Sequence, residues 1–253
     1  MKKIMVFALL GACLSAGLPA LALAQDMDPG VTLQTANPDI RDKASLQRGA
    51  KYFVNYCAGC HSAQYVRYNR VGSDLGLSDA QVEKYLMFAG GKVTGTMVSA
   101  MPEADATTWF GTAPPDLSVE ARIHSPNWIY TYLKSFYLDP SKPTGANNTV
   151  FPNVAMPDVL WQLQGTQTAV FKTVTNPDGS TFQVFQHFEP VTPGKLKPAQ
   201  FDQMDQDIVN FLQYIGDPVT VLSETIGLRV LGFLVIFFVL AYLLKREIWK
   251  KIH

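Results

Sequence analysis

Two long apolar runs lie near the ends of this 253-residue chain, and shorter amphipathic patterns fill the region between them. The C-terminal run, Val230–Leu244, holds fifteen residues without a charge, and adding Ile226–Arg229 extends it to nineteen. About 20 apolar residues are needed to cross a bilayer core of about 30 Å. Residues 224–246 are therefore predicted to form a transmembrane helix, with Arg229 reaching towards the lipid headgroups.

The N-terminal run has the features of an export signal. Two lysines precede an apolar stretch that ends in an A-x-A cleavage site at Ala22–Ala24. Residues 1–24 are therefore predicted to be a signal peptide, so that the mature chain begins at Gln25. The sequence before Cys13 resembles a lipoprotein processing site, and lipidation of Cys13 is the alternative.

Amphipathic segments between the apolar runs predict helices. The first spans Ser45–Tyr56, where apolar residues recur at helical spacing. A Ser-x-x-Gln capping box opens the second helix, Ser78–Phe88. A serine N-cap followed by proline opens the third, Ser125–Tyr137.

A last helix of this region is predicted over Pro198–Ile215, where a Gly-Asp-Pro sequence ends it. Its apolar face is formed by Phe201, Met204, Ile208, Phe211 and Leu212. The charged residues Asp202, Asp205 and Asp207 are expected to point away from the core.

The remaining patterns predict loops and one β-hairpin. Thr168–Thr175 and Thr181–Phe188 flank an Asn-Pro-Asp-Gly sequence, which is typical of a hairpin turn. Met101–Pro115, with three prolines and one glycine, is expected to be a loop. Residues 25–223 should therefore form a single, mainly α-helical domain with little sheet.

The charges that flank the second apolar run predict its orientation. A basic segment, Lys245–Lys251, follows the span, and positive flanks remain in the cytoplasm. Residues 247–253 are therefore expected to be a cytoplasmic tail. Residues 25–223 would then lie in the periplasm, on a single-pass protein of the bacterial inner membrane.

The exported part is acidic, although the whole chain carries no net charge. Residues 25–225 contain 14 Lys and Arg against 20 Asp and Glu, a balance of −6. Such a domain can attract a basic soluble partner over long range, although solubility explains the charge equally well. No nucleic acid partner is expected.

The most specific chemistry lies in Cys57-Ala58-Gly59-Cys60-His61, which has the C-x-x-C-H spacing of c-type haem attachment. Two thiols at this spacing can each add to a vinyl group of one porphyrin, and the adjacent histidine then ligates the iron. A zinc site would need more ligands, and a thioredoxin-like redox pair would not require the histidine. One covalent haem c, held by Cys57, Cys60 and His61, is therefore predicted.

Spacing does not decide the second axial ligand. His124 is plausible but unsupported by its surroundings in the sequence. Methionine is the usual second ligand in electron-transfer c haems, and it raises the reduction potential. Setting aside the methionines near the N-terminus and on predicted core faces leaves Met97, Met101 and Met156.

Several stretches make the chain similar to the cytochrome c1 family, the haem c subunits of cytochrome bc1 complexes. They are the attachment motif, Tyr65–Tyr68, Ala113–Ser118, Asn153–Pro157, Asp207–Leu212 and the C-terminal span with its basic tail. His61 and Met156 are 95 residues apart, whereas generic class I cytochromes c place the methionine much closer to the histidine.

The resemblance implies a cytochrome c-like haem domain with a small β-hairpin insertion and one C-terminal transmembrane helix. It carries over Met156 as the sixth iron ligand, and it places Pro115 beside the haem and Arg122 near a haem propionate. It further implies that the haem accepts one electron from a Rieske iron–sulfur protein and passes it to a soluble or membrane-attached cytochrome c. The span would pack against cytochrome b and membrane lipid.

Three other functions are compatible with parts of the sequence. A haem c subunit of another membrane dehydrogenase or terminal oxidase would share the attachment motif and the anchor. A haem enzyme or gas sensor with an open sixth position would lack a sulfur ligand and would bind CO readily. A structural lipoprotein anchored at Cys13 would leave the haem motif unexplained.

Overall fold

The computed structural model of this chain describes residues 31–250. The predicted signal peptide, Cys13 and the last three residues of the tail lie outside the described residues. Within residues 31–250 helices predominate and the sheets are small, so the prediction of a mainly α-helical chain with little sheet is confirmed.

The described residues contain nine α-helices and six strands, with one large hydrophobic cluster and one small one. The helices are α1 (Lys43–Tyr52), α2 (Tyr68–Leu75), α3 (Asp79–Tyr85), α4 (Glu103–Phe110), α5 (Glu120–Ile123), α6 (Pro126–Lys134), α7 (Trp161–Gln164), α8 (Pro198–Gly216) and α9 (Thr220–Trp249). The strands pair antiparallel as β1 (Ala63–Arg67) with β2 (Thr96–Met97), β3 (Phe136–Leu138) with β4 (Ala146–Asn148), and β5 (Gly165–Thr175) with β6 (Thr181–Pro193).

Side-chain caps begin two of the helices that the sequence predicts. The Ser78 hydroxyl accepts a hydrogen bond from the Gln81 amide at 3.3 Å, and the Gln81 side chain accepts one from the Ser78 amide at 2.9 Å. The Ser125 hydroxyl accepts from the Trp128 amide at 3.2 Å, with Pro126 in the first helical position. Both caps satisfy backbone donors that have no partner inside the helix.

The predicted loop over Met101–Pro115 is wrong, because eight of its residues form α4. Pro102 precedes the helix, and Pro114 and Pro115 follow its end. None of the three prolines therefore interrupts a helical hydrogen bond. Gly111 ends the helix with a φ of 78°, a left-handed conformation that glycine adopts without strain.

Helix α6 is shorter than the sequence predicts. It ends at Lys134 rather than Tyr137, because Phe136–Leu138 forms strand β3. Phe136 pairs with Asn148 in the register of β3 and β4, so a partner twelve residues away in sequence decides its conformation. The hairpin prediction is confirmed, and both of its strands are longer than predicted.

The core is built around the packing of α1 against α8. The predicted apolar face of α8 is buried, and the rings of Phe53 and Phe211 lie 5.4 Å apart between the two helices. At Gly49 the backbones approach so closely that an added Cβ would overlap the carbonyl oxygen of Asp207 and lie 2.7 Å from Phe211 Cβ. Glycine therefore sets the distance between these helices.

Two aspartates of α8 do not point away from the core, so that prediction is wrong for both. Asp207 is 1 % exposed, and it accepts hydrogen bonds from Arg48 Nε at 2.7 Å and from the Ser45 hydroxyl at 2.7 Å. These partners on α1 replace the water that the carboxylate loses. Asp202 does point outwards and pairs with Lys134 Nζ at 2.5 Å.

Asp205 is also buried, but it lacks the hydrogen-bond partners that Asp207 has. It is 0 % exposed, and neither carboxyl oxygen has a hydrogen-bond partner among the described residues. Burial raises the pKa of Asp205 well above its usual value, and the nearby charge of Lys134 opposes this shift only in part. Burial therefore favours the neutral form of this side chain.

Helix α9 leaves the folded domain after a three-residue connection, residues 217–219. Its segment Ile226–Trp249 has 24 residues and is strongly apolar. No residue in the most hydrophobic stretch of this segment is buried in the structure. By length and composition it can cross a membrane, since 24 helical residues extend about 36 Å.

Candidate haem-binding site

An apolar cavity of about 430 Å³ lies between the segment after α1, helices α6 and α8, and the loop that follows β4. The lining residues that matter for its chemistry are Cys57, Cys60, His61, Pro115, Tyr132 and Met156. Most of the other lining side chains are aliphatic or aromatic, such as Ile129, Leu133, Ile208 and Leu212. The volume lies within the range of about 300–1,000 Å³ that is usual for ligand sites.

A single π-helical turn, Phe53–Cys57, connects α1 to the C-x-x-C-H motif. The carbonyl of Cys57 then accepts hydrogen bonds from the amides of Cys60 at 3.0 Å and His61 at 2.8 Å. This tight turn brings the three side chains of the motif to one wall of the cavity. The local sequence is therefore enough to assemble this part of the site.

The two cysteines are free thiols in the structure. Burial raises the pKa of Cys57 to about 12, with smaller contributions from Cys60 and Asp205, and burial also raises the pKa of Cys60. A catalytic or redox cysteine is instead activated by a lowered pKa. No group of three or more His, Cys, Asp or Glu side chains that could hold a metal ion is found among residues 31–250.

His61 is held in one tautomer. Its Nδ1 donates a hydrogen bond to the Pro115 carbonyl at 2.8 Å, and a carbonyl can only accept, so the ring proton lies on Nδ1. Nε2 then keeps a free lone pair. Desolvation lowers the pKa of His61, although the hydrogen bond to Pro115 opposes this. A neutral imidazole with its second nitrogen hydrogen-bonded is the form that ligates metals, so His61 fits a haem iron.

The Pro-Pro-Asp-Leu-Ser segment is tied to the chain that follows His61. The amide of Leu117 donates to the carbonyl of Ser62 at 2.8 Å, and Asp116 Oδ2 accepts from the Gln64 amide at 2.9 Å. Ser118, which is 0 % exposed, accepts from the Tyr65 amide at 3.0 Å. These bonds fix the Pro115 carbonyl against His61. The sequence singled out this segment only as a family signature, and Asp116 and Ser118 give it a structural role.

Met156 lies on the loop after β4, and two buried asparagines organise that loop. Asn147 Oδ1 accepts from the amide of Asn153 at 2.8 Å, and Asn148 Oδ1 accepts from the amide of Val150 at 2.8 Å. Asn153 has a φ of 65°, a left-handed conformation that asparagine tolerates. Sequence reasoning missed both asparagines, because their partners are backbone amides of an irregular loop.

Comparison with known proteins identifies the family of this chain. The family model described as "Cytochrome C1 family" matches residues 39–252. The chain belongs to the cytochrome c1 family. It is 50 % identical over 224 residues to "Cytochrome c1" of Allochromatium vinosum, covering 88 % of this chain and 91 % of that protein.

Two other relatives carry different names. "Ammonia monooxygenase gamma subunit" of Nitrosomonas europaea is 42 % identical over 223 residues, covering 88 % of this chain and 90 % of that protein. "Cytochrome b/c1" of Bradyrhizobium diazoefficiens is 25 % identical over 260 residues, covering 90 % of this chain and 36 % of that protein. The sequence-based identification of a cytochrome c1 family member is confirmed.

The sequence left three methionines as candidates for the second iron ligand. Their surroundings differ in the structure of this cytochrome c1 family member. Met97 is 2 % exposed, pairs with Ala63 between β1 and β2, and belongs to the general core. Met101 is half-buried outside the cavity lining. Of these three, Met156 is the one that lines the cavity. Its assignment as the sixth ligand stays a prediction, with this position in its favour.

His124 also lines the cavity, but its ring is stacked on Trp128 at 3.9 Å between centroids. Its Nε2 lies 3.6 Å from Glu120 Oε1. The structure thus gives both the ring face and one nitrogen of His124 a partner within the protein.

The structure does not bring Arg122 into the cavity lining. Arg122 is exposed, and its Cγ lies 3.5 Å from the position that a Cβ on Gly216 would occupy, at the end of α8. The pairing of Arg122 with a haem propionate, which the cytochrome c1 resemblance implies, therefore stays a prediction. Pro115, by contrast, lines the cavity and contacts His61 directly.

Proposed function

We propose that this chain is the haem c subunit of a cytochrome bc1 complex and carries electrons through one covalent haem. The observation that supports the proposal most directly is the presence of His61 and Met156 on one apolar cavity, beside both cysteines of the attachment motif. When bound, a haem c supplies one-electron chemistry at its iron.

The residues of the cavity have separate tasks in this proposal. Cys57 and Cys60 would hold the cofactor through thioethers, and His61 and Met156 would ligate its iron. The aliphatic and aromatic lining excludes water, which limits the reorganisation that accompanies a change of charge. No general acid or base is required, since the transfer of an electron at this site moves no proton.

We propose three protein partners for this subunit. A Rieske iron–sulfur protein delivers the electron, and a soluble or membrane-attached cytochrome c accepts it. The acidic balance of residues 25–225 is suited to a basic acceptor, which it attracts over long range. The name of the Bradyrhizobium diazoefficiens relative, "Cytochrome b/c1", favours cytochrome b as the partner of α9.

The name of the Nitrosomonas europaea relative raises an alternative role in a monooxygenase. A haem that activates O2 needs an open iron position, whereas Met156 lies on the cavity as a candidate ligand for that position. We therefore favour electron transfer. Ready binding of CO to the reduced wild-type protein would instead favour the open-site alternative.

The proposed topology places residues 25–223 in the periplasm and residues 247–253 in the cytoplasm. A reporter enzyme that is active only in the periplasm should work when it is fused after Gly216 and should be inactive when it is fused after His253, because the basic flank of α9 is retained inside. Enzyme activity and fusion abundance would be measured together. The reverse pattern at equal abundance would reject this orientation.

The function is tested on the complex purified from native membranes through a tag on this chain. We expect cytochrome b to co-purify, quinol–cytochrome c reductase activity to be present, and haem to remain on this polypeptide in denaturing electrophoresis. Changing both cysteines, Cys57→Ala and Cys60→Ala, should abolish the covalent haem and the activity, because no thioether can form. Cys13→Ala, in the predicted signal peptide, is the matched control and should change neither. Haem that extracts freely from the wild-type chain would reject the proposal.

A further inference from the structure

Met156 is hydrogen-bonded to a tyrosine that also lines the cavity. The hydroxyl of Tyr132 donates to Met156 Sδ over 3.3 Å. Both side chains line the cavity. A thioether sulfur is only a weak acceptor, so the hydroxyl donor at this sulfur is a distinct feature of the site.

The Tyr132 ring packs against two aromatic neighbours. It stacks on Trp128 with ring centroids 5.0 Å apart and planes 8° from parallel. Phe136 contacts it edge-on, with centroids 5.2 Å apart and planes at 72°. Both are favourable geometries for aromatic pairs, so the contacts stabilise this orientation of the ring. Packing therefore helps to direct the hydroxyl at the sulfur.

The backbone of Tyr132 is connected to the loop that carries Met156. Asn148 Nδ2 donates to the carbonyl of Tyr132 at 2.8 Å, and Asn148 Oδ1 accepts from the amides of the loop residues Val150 at 2.8 Å and Phe151 at 3.2 Å. Asn148 is 1 % exposed. One buried amide thus couples α6 to the start of the methionine loop and keeps donor and acceptor in register.

We propose that Tyr132 is a positioning residue for Met156, which holds the sulfur in the cavity and tunes it by donating a hydrogen bond to Sδ. The inference rests on the proposed function, in which Met156 ligates the haem iron. A hydrogen bond draws electron density away from the sulfur and directs the positive end of the O–H dipole at the site. Both effects disfavour the additional positive charge of ferric iron, so they favour the reduced state.

Tyr132→Phe removes the hydroxyl and keeps the ring, so the stack with Trp128 and Phe136 is retained. In the purified complex we expect a lower reduction potential, by a twofold to tenfold change in the redox equilibrium constant; tenfold corresponds to about 59 mV for one electron. The sulfur-to-iron charge-transfer band should shift but persist, because Met156 is still present. Equilibrium redox titration and absorption spectroscopy measure the two effects.

Tyr130→Phe is the matched control on the same helix. Tyr130 is buried, its hydroxyl contacts Lys134 Nζ at 3.2 Å, and it is not part of the cavity lining. This variant should keep the wild-type potential and band. Covalent haem content and thermal unfolding, measured for both variants, separate a tuning effect from loss of folded protein.

The outcomes distinguish this inference from the proposed function. If Met156→Leu abolishes the band but Tyr132→Phe has the same potential and band as Tyr130→Phe, the positioning role of Tyr132 is wrong and the ligand assignment stands. A raised potential in Tyr132→Phe also rejects the inference. If Met156→Leu leaves the band unchanged, the ligand assignment itself fails. For a Tyr132→Phe chain that does not assemble, Phe136→Leu provides the second variant: it loosens the ring and should lower the potential in the same direction.

Discussion

Met156→Leu should leave the haem attached and remove its sulfur ligand. Leucine has nearly the volume and apolarity of methionine, so packing should cost less than about 1.5 kcal/mol. The sulfur-to-iron charge-transfer band should disappear and the reduced protein should bind CO. The potential should fall by more than the about 59 mV of a tenfold change, because a thioether stabilises ferrous iron. Electron transfer from the Rieske centre to cytochrome c should then fail.

Met97→Leu and Met101→Leu are the controls for this result. Met97 lies in the core and Met101 outside the cavity lining, so both variants should keep the band, the potential and the activity. If Met156→Leu retained the wild-type band and potential, the ligand assignment would be wrong. If the band were lost in Met101→Leu instead, Met101 would be identified as the ligand.

Gly49→Ala should strongly destabilise the haem domain. The added methyl group would overlap the Asp207 carbonyl, which is backbone and cannot turn aside, so α1 and α8 must separate. Overpacking of this kind costs about 1–3 kcal/mol and occasionally more, and we expect a loss at the upper end, about 3 kcal/mol. Since α1 leads through the π-turn into Cys57, its displacement should also lower the covalent haem content.

The free energy of unfolding of the full chain in detergent, from denaturant titration, measures this effect. The expected sign is diagnostic, because Gly→Ala in an unhindered helix stabilises by about 0.5–1 kcal/mol. Lys51→Ala, at an exposed position of the same helix, is the control and should change stability by no more than about 0.5 kcal/mol. A Gly49→Ala protein as stable as this control would contradict the close approach at Gly49.

Local signals in the sequence predicted the parts of the fold that depend on neighbouring residues. The capping box at Ser78 and the Ser125–Pro126 start are complete within four residues, and both are observed. The end of α6 could not be predicted in this way, because it depends on the pairing of Phe136 with Asn148. The three prolines of Met101–Pro115 led to the wrong prediction of a loop. All three lie outside Glu103–Phe110, so a helix can form between them.

The same distinction between local and distant contacts applies to the candidate site. Cys57, Cys60 and His61 are adjacent in sequence and meet through one turn, so the motif alone predicts them. Met156 comes from a loop 95 residues later, and spacing left it equal to Met97 and Met101 until family order favoured it. The Tyr132 contact joins elements that no local pattern connects.

The charge pattern of α8 misled for a physical reason. An aspartate on a predicted polar face is expected to be hydrated, yet Asp207 is buried because Arg48 and Ser45 on α1 supply its partners. Helical periodicity describes a helix without its neighbours, so it cannot reveal a polar network that exists only between two helices.

The buried acid Asp205 makes folding a proton-uptake reaction. Its pKa in the folded chain is raised above that of the unfolded chain, so the native state binds more protons at pH values between the two. The stability that this group contributes is complete below the ordinary aspartate value of 3.8 and is lost as the pH rises towards the folded value. Unfolding in that range releases a proton from Asp205. While Asp205 is protonated, the folded domain also presents one negative charge fewer to a basic partner than a count of its acidic residues gives.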